Sequence, residues 1–542
     1  MPTVLAGSLL PVFPQSWWRW IRFLLCLSAL EGTPVTAQSK VVRPLSGDEI
    51  PSQFEPPRVA ESETPLRIGQ QPQLLVDNHV LADWWRLRRV QYRARKHPEN
   101  PILEPDQPWE DTARNSAGSF PTAAVYDKEE GLFKLWYQIE QETGGNVIGY
   151  AESQDGIHFE KPHLGLVEYG GTRANNVCRV EPYGKPVWGA IHIIQDPRPQ
   201  SPEQRFWAVG LPHWREGSSR IRRWAGVAYS ADGKIWHMAK GGILEGAGGG
   251  NPACLWDPQR ERYILFHRQL YETAGGGRYI VRQESQDLIH WTPRQTVFNP
   301  MGGRWPEVES MMTFYHRGLY FGLPQMLENE RTGEVEIHLI TSRDGIHWEQ
   351  PFPDEAFIPR GSPGDFDDMI TWFPQTVAQG ESIFFYYGGA RYPHNARQWQ
   401  RLPPQRRMNK VGLARVPMDR LMGLRADRPA GSFLTRPILI EGEDLFINAD
   451  ISDELVVEVV PTNISLTLKT LRDKEGSVRY HEFEGDAGPF PGFSYDDCRP
   501  VAGDSNQHKI TWKGGSLGRF RGQSVRLRLR ARQATIFAFQ IR

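Results

Sequence analysis

The 542-residue chain is predicted to be all-β, with a five-bladed β-propeller over residues 75–425 followed by a β-sandwich over 426–542. Three observations predict it. A seven-residue phrase recurs four times, as SQDGIHF (153–159), SADGKIW (230–236), SQDLIHW (285–291) and SRDGIHW (342–348). Upstream of each copy lies a short apolar strand and, before that, an aromatic one: LFKLWYQ, RFWAVGL, RYILFHR and GLYFGLP. Aromatics are 11% of the chain, beside 52 Gly and 43 Pro, which suits many short strands and tight turns better than helices.

In chain order, residues 1–37 read as an export signal. Arg19 and Arg22 precede the apolar FLLCLSAL (23–30), and a small-residue cleavage site, VTA, ends before Gln38. The apolar run is far shorter than the roughly 20 residues a membrane span needs. A secreted or periplasmic protein is therefore expected. Cys26 falls inside the signal, leaving Cys178, Cys254 and Cys498, an odd and widely spaced set with no disulfide framework and no zinc spacing. Residues 38–74, rich in Pro, Ser and Glu, read as a linker. The net charge of −1 implies no nucleic-acid partner.

From residue 75 the repeat governs. Each unit reads as strand, hairpin turn, aromatic strand, loop, strand and then the phrase. A fifth unit keeps the strands, in MITWFPQTVAQGE, SIFFYYGG and KVGLARVPMDRL, and lacks the phrase. One four-stranded unit cannot cover both its faces, whereas units set in a ring bury one another's. Residues 75–100 are expected to contribute a strand that closes the ring. Within the phrase, Asp bonds turn amides, Gly takes positive φ, Ser supports the turn, and Trp or Phe starts the outer strand and packs between blades. The third copy has Leu288 in the Gly position, so a different turn is expected there. After residue 425, alternating segments such as ELVVEVV and SVRLRLRA fit the sandwich, with Arg526, Arg528 and Arg530 on a solvated face.

Ligands of a propeller sit at the axial mouth, where the innermost strands begin. The candidates there are Asp111 and Arg114 (with Glu110 and Asn115) in the first unit, Trp188 and His192 in the second, and Asn251 in the third. The fourth offers Glu307 and Glu309, and the fifth Asp365, Asp367, Asp368 and Trp372. Arg173, Asn175 and Asn176 join them from the loop 169–178. Acids, amides, Arg and Trp converging on a funnel suit a carbohydrate: indoles stack on pyranose faces, amides and guanidinium groups bond hydroxyls, and two carboxylates divide the acid and base or nucleophile duties. Glu309 and Asp367 lead as the pair because each sits at a strand start; pairing with an Arg or capping a turn is the competing role. Asp196, in QDPR, aligns with the hairpin-turn residues Asp127 and Asp257, which favours a turn.

HPENPIL with PWE, then AAVYDKEEGLFKLWY and SQDGIHF, resemble the five-bladed propeller glycoside hydrolases of families 32, 43 and 130 and related secreted bacterial proteins. The resemblance covers roughly residues 75–425, and PGFSYDDCRPVAGDSNQHKITWKGG resembles the sandwich appended to such proteins. It implies action on fructosides, arabinosides, xylosides or mannosides through axial Asp and Glu. QDPR is similar to the E-D-P-R of family 130, with Gln195 in place of Glu, which adds Asp196 as a catalytic candidate against the turn reading. The family 32 signatures are absent, and Ser119, Phe120 and Pro121 occupy the place of the first acid of family 43. Some of these propellers hold an axial Ca²⁺; here oxygen ligands are present but no spacing identifies a metal site. Two functions follow: a secreted glycosidase, or a non-catalytic glycan-binding surface protein. Oligomeric state is not legible.

Overall fold

The computed structural model describes residues 64–110, 120–140, 146–181, 191–212, 224–241, 244–245, 250–270, 277–300, 303–394, 409–462, 466–472, 478–485 and 488–542. The predicted signal and most of the predicted linker lie outside them. Every long element is a strand. Among the described residues no helix is long and apolar enough to cross a membrane.

The repeat units form five antiparallel hairpin sheets. Their innermost strands are Phe120–Asp127, His192–Gln195, Ala253–Asp257, Glu307–His316 and Ile370–Gln379. Each touches the next in that order, and the fifth touches the first, so the contacts close a ring. The aromatic strand follows each inner strand through a tight hairpin, as in Ala253↔Phe266 through Asp257↔Arg262. Sheets four and five are also joined by one parallel pair, Val335↔Ile370. The outer strand of the fifth sheet comes from far upstream: Arg95–Lys96 pairs with Arg415 and Ala414 of Lys410–Pro417.

The phrase forms the corner of four sheets. In the first, Ser153 Oγ donates to Asp155 Oδ1 (2.9 Å) and accepts the Gly156 amide (3.0 Å), and Asp155 Oδ1 takes the amides of Ile157 and His158. The other copies repeat the Asp-to-amide bonds through Asp232, Asp287 and Asp344. Leu288 alters the turn in one bond: Gly233 and Gly345 give their amides to the phrase Ser as Gly156 does, and among the described residues no such bond runs from Leu288 to Ser285. Leu288 adopts φ +64, in the left-handed region its Gly counterparts occupy. The corner locks neighbouring sheets together. Trp136 of sheet one donates to the Gly233 carbonyl of sheet two (2.7 Å), and Tyr386 of sheet five donates to that of Gly156 (2.8 Å). A Cβ on Gly233 would lie 2.4 Å from the Trp136 ring, so only Gly fits.

A second repeated link sits at the hairpin turns. Asp127, Asp196 and Asp257 each accept an amide two residues on. Each also takes a donor from the next sheet, respectively Arg205 (3.0 Å), Tyr263 (2.6 Å) and the Tyr320 hydroxyl. A buried turn acid thus satisfies its own turn and ties its neighbour.

The remaining strands build a nine-stranded sheet around two long ones, Leu445–Val460 and Ser524–Ile541. Its core includes Val457, Leu527, Ile536 and Phe539. Gln73–Leu74, Leu81–Trp85 and Leu87–Gln91 belong to this sheet, so residues 73–91 pair with the C-terminal strands and not with the repeat. Alternation holds along the Arg-rich strand, but Arg526 is 3% exposed and donates to the carbonyls of Thr435 and Thr462. It is a buried clamp and not part of a solvated face. Leu466–Arg472 and Val478–Gly485 pair only with each other.

Candidate functional site

The five inner strands enclose a cavity of about 290 Å³ lined by His192, Cys254, Thr313 and Gln375, among others. His192 Nδ1 accepts the Cys254 amide (3.2 Å), and burial pushes the imidazole down to about 4. At neutral pH it is an uncharged wall residue.

At the end where the inner strands begin, the structure gathers charge around Glu309. The register slips between Val308 and Met311, and a β-bulge there holds Glu309 and Ser310. A bulge disrupts the ladder locally and bends the strand that carries it. Glu309 is 6% exposed. Its Oε2 meets Arg268, Arg278 (3.4 Å) and His394 (3.2 Å). Burial works against the charge, but Arg268 above all, with His394 and Arg278, holds the carboxyl down at about 2. Arg278 also grips Glu307. Gly250 presses on the Glu309 backbone, where a Cβ would come within 2.7 Å of its carbonyl. Asn251, 2% exposed, accepts the Ser310 hydroxyl on its carbonyl (2.5 Å), and its Nδ2 has no partner among the described residues.

Sheet five contributes the other wall. A second bulge, between Trp372 and Gln375, accompanies a stacked Trp372–Phe373 pair (4.9 Å, 28°) with Phe373 at φ 48. Tyr392 and His394 stand edge-on to Trp372, each at 6.3 Å. Asp368 reaches Arg391 (3.9 Å) and accepts the Gly364 amide (2.8 Å), while its Oδ1 has no partner among the described residues. One short segment, 391–394, therefore meets both Asp368 and Glu309.

The adjacent Asp367 turns elsewhere. Its Oδ2 takes Lys96 Nζ (2.6 Å), from the outer strand of sheet five, and the Tyr387 hydroxyl (2.8 Å), from its second strand, and neither is a partner of Glu309. Asp196 occupies a hairpin turn beyond the far end of its inner strand. Asn175 holds its own loop through the carbonyls of Val167 and Thr172, and Arg173 is exposed on that loop. Asn176 belongs to a buried chain with Trp109, Tyr137 and Glu110 beside sheet one. Asp111, Arg114 and Trp188 lie outside the described residues. Among the described residues no three His, Cys, Asp or Glu side chains gather as a cation site.

Arg268, Arg278, Arg391 and His394 were not expected from the sequence. Arg268 near the end of a second strand and Arg278 at the start of the third flank the connection in sheet three, and Arg391 and His394 lie just past the second strand of sheet five, whereas the expectation searched only the starts of first strands. Those positions meet at Glu309, near the start of the fourth inner strand.

No family model matches the chain, and no curated protein matches it. Solved structures with similarity to it include propeller glycoside hydrolases and related enzymes. An α-L-arabinofuranosidase from Podospora anserina is 14% identical over 60% of this chain and 97% of its own, with TM-score 0.40. A family 32 β-fructofuranosidase from Bombyx mori is 12% identical over 83% and 94%, with TM-score 0.38. An N-acetylgalactosamine deacetylase from F. plautii is 14% identical over 66% and 96%, with TM-score 0.37.

Proposed function

We propose that the five sheets are the blades of a five-bladed β-propeller, with a C-terminal β-sandwich, and that the exported protein cleaves a glycosidic bond at the mouth around Glu309. The observation that carries the reading is a buried carboxylate, seated in a bulge and kept ionised by Arg268, His394 and Arg278, beside an aromatic wall. A carboxylate of this kind serves as nucleophile or general base. Asp368, with its unpartnered oxygen, is assigned as the acid that protonates the leaving oxygen. Water completes the cleavage and restores both carboxyl groups. Trp372 and Tyr392 hold the sugar ring, and Asn251 Nδ2 bonds a hydroxyl. Asp367 and Asp196 are read as framework residues, each bound to partners away from Glu309. No step is routed through a metal.

A panel of aryl glycosides and polysaccharide digests tests the proposal. Glu309→Gln is expected to lower turnover by roughly 10²–10⁴-fold. No release from any substrate, with Glu309→Gln and Asp368→Asn indistinguishable from wild type, sinks it. A non-catalytic glycan-binding protein is the second reading. Two guanidinium groups and an imidazole on one carboxylate favour it, since such a cluster also serves as a structural clamp. Glycan binding without turnover selects it.

A further inference from the structure

We propose a second sugar-binding site at the opposite end of the ring from Glu309, in the groove between sheets two and three. A cavity of about 670 Å³ opens there, within the range of roughly 300–1,000 Å³ that small ligands occupy. It lies beside the one copy of the phrase in which Gly is replaced. Phe133 lies opposite Ser153 in sheet one and Phe206 opposite Ser230 in sheet two, so Val209 is the counterpart of Trp136. Where Trp136 fills the Gly233 corner of the next sheet, Val209 faces a corner that carries Leu288 instead. The large and small residues have exchanged sides. Leu288, 1% exposed at φ +64, holds a left-handed backbone shape that disfavours its side chain. Strain kept at a buried position beside a cavity points to use of that cavity.

The lining says what it takes. Trp207 is 6% exposed, lines the cavity, and its indole N–H has no partner among the described residues. A buried donor left unpaired is costly, and a ligand oxygen would recover that cost. Arg198 lies flat on Trp256, 3.7 Å from its ring, and is thereby fixed at the rim. Gln204 and Gln200 offer both donors and acceptors. Arg198 and Arg262 are matched by Asp196, Glu261 and Asp287, so the lining has no cationic excess for phosphate or another anion. Mixed donors and acceptors, aromatic walls and near-balanced charge describe a neutral, hydroxyl-rich ligand of one or two sugar rings. The site does not depend on catalysis at the mouth.

Isothermal titration of the full-length protein and its Glu309→Gln form with cellohexaose, xylohexaose, mannohexaose and maltohexaose tests it. At least one sugar is expected to bind both forms. Trp207→Phe, which keeps the ring and removes the N–H, is expected to weaken that binding roughly five- to tenfold without changing turnover. Gln204→Ala, on the half-buried rim, gives a second variant less exposed to folding defects. No binding by any of the four sugars, or affinity unmoved in both variants, overturns the site. Cavity-dependent binding without turnover would fail the catalytic reading alone. Turnover without cavity-dependent binding would fail this inference alone.

Discussion

Lys96 and Asp367 form an ion pair that ties the upstream strand Arg95–Lys96 to sheet five. The Asp367 carboxylate is 2% exposed and Lys96 26%, at 2.6 Å. Removing the cation would leave a buried charge uncompensated, so Lys96→Met is expected to cost about 3–5 kcal/mol in urea unfolding. The phrase acids carry a different signature. The amides and side chains around Asp287 hold its carboxyl near 2, and those around Asp155 and Asp344 hold theirs lower still, against the opposing effect of burial. A depressed carboxyl contributes stability above its unfolded value and loses it as pH falls through the folded one. The melting temperature is therefore expected to drop between about pH 4 and pH 2, and to drop less in Asp287→Asn, by calorimetry. These acids are partly exposed, so each contribution is modest. At this scale the sequence was partly legible. Glu309 stood out as an acid at a strand start. Asp367 and Asp368 could not be told apart, because the direction of neighbouring side chains in a loop depends on partners 271 residues away. Bulges leave no residue signature of their own, so the one that holds Glu309 was invisible.

At the scale of the element, the corner turn is the unit of construction. Gly233 sits at φ +77 with the Trp136 ring against it. Gly233→Ala is expected to destabilise by about 2–4 kcal/mol, combining left-handed strain with overpacking. Tyr386→Phe, which removes one hydrogen bond to the Gly156 carbonyl, is expected to cost about 1 kcal/mol. Equal losses in the two variants would contradict this account. The phrase was readable because its chemistry is local: Ser, Asp and Gly satisfy one another within a few residues. The hairpin acids were readable for the same reason, and their alignment placed Asp196 correctly in a turn. Their second role, reaching Arg205, Tyr263 and Tyr320 on the next sheet, was not, since those partners lie 78, 67 and 63 residues away.

Across the ring and its companion sheet, the unexpected feature is the division of labour in residues 64–96. Period-two alternation identifies strands without naming the sheet they join. Gln73–Leu74 pairs with Ala538 and Phe539, while Arg95–Lys96 pairs with the fifth repeat sheet. A chain beginning at residue 97 would lack strands from both bodies and is expected to lose cooperative unfolding, as read by coincidence of fluorescence and circular dichroism transitions.

That pairing sets a schedule for synthesis. Lys96 leaves the ribosome long before Ala414, its partner, and Gln73 longer still before Phe539. At roughly 5–20 residues per second, the early strands wait on the order of 15–90 s with bare edges. A nascent chain in that interval offers an open template for mispairing, so holding factors are needed until the last residues emerge.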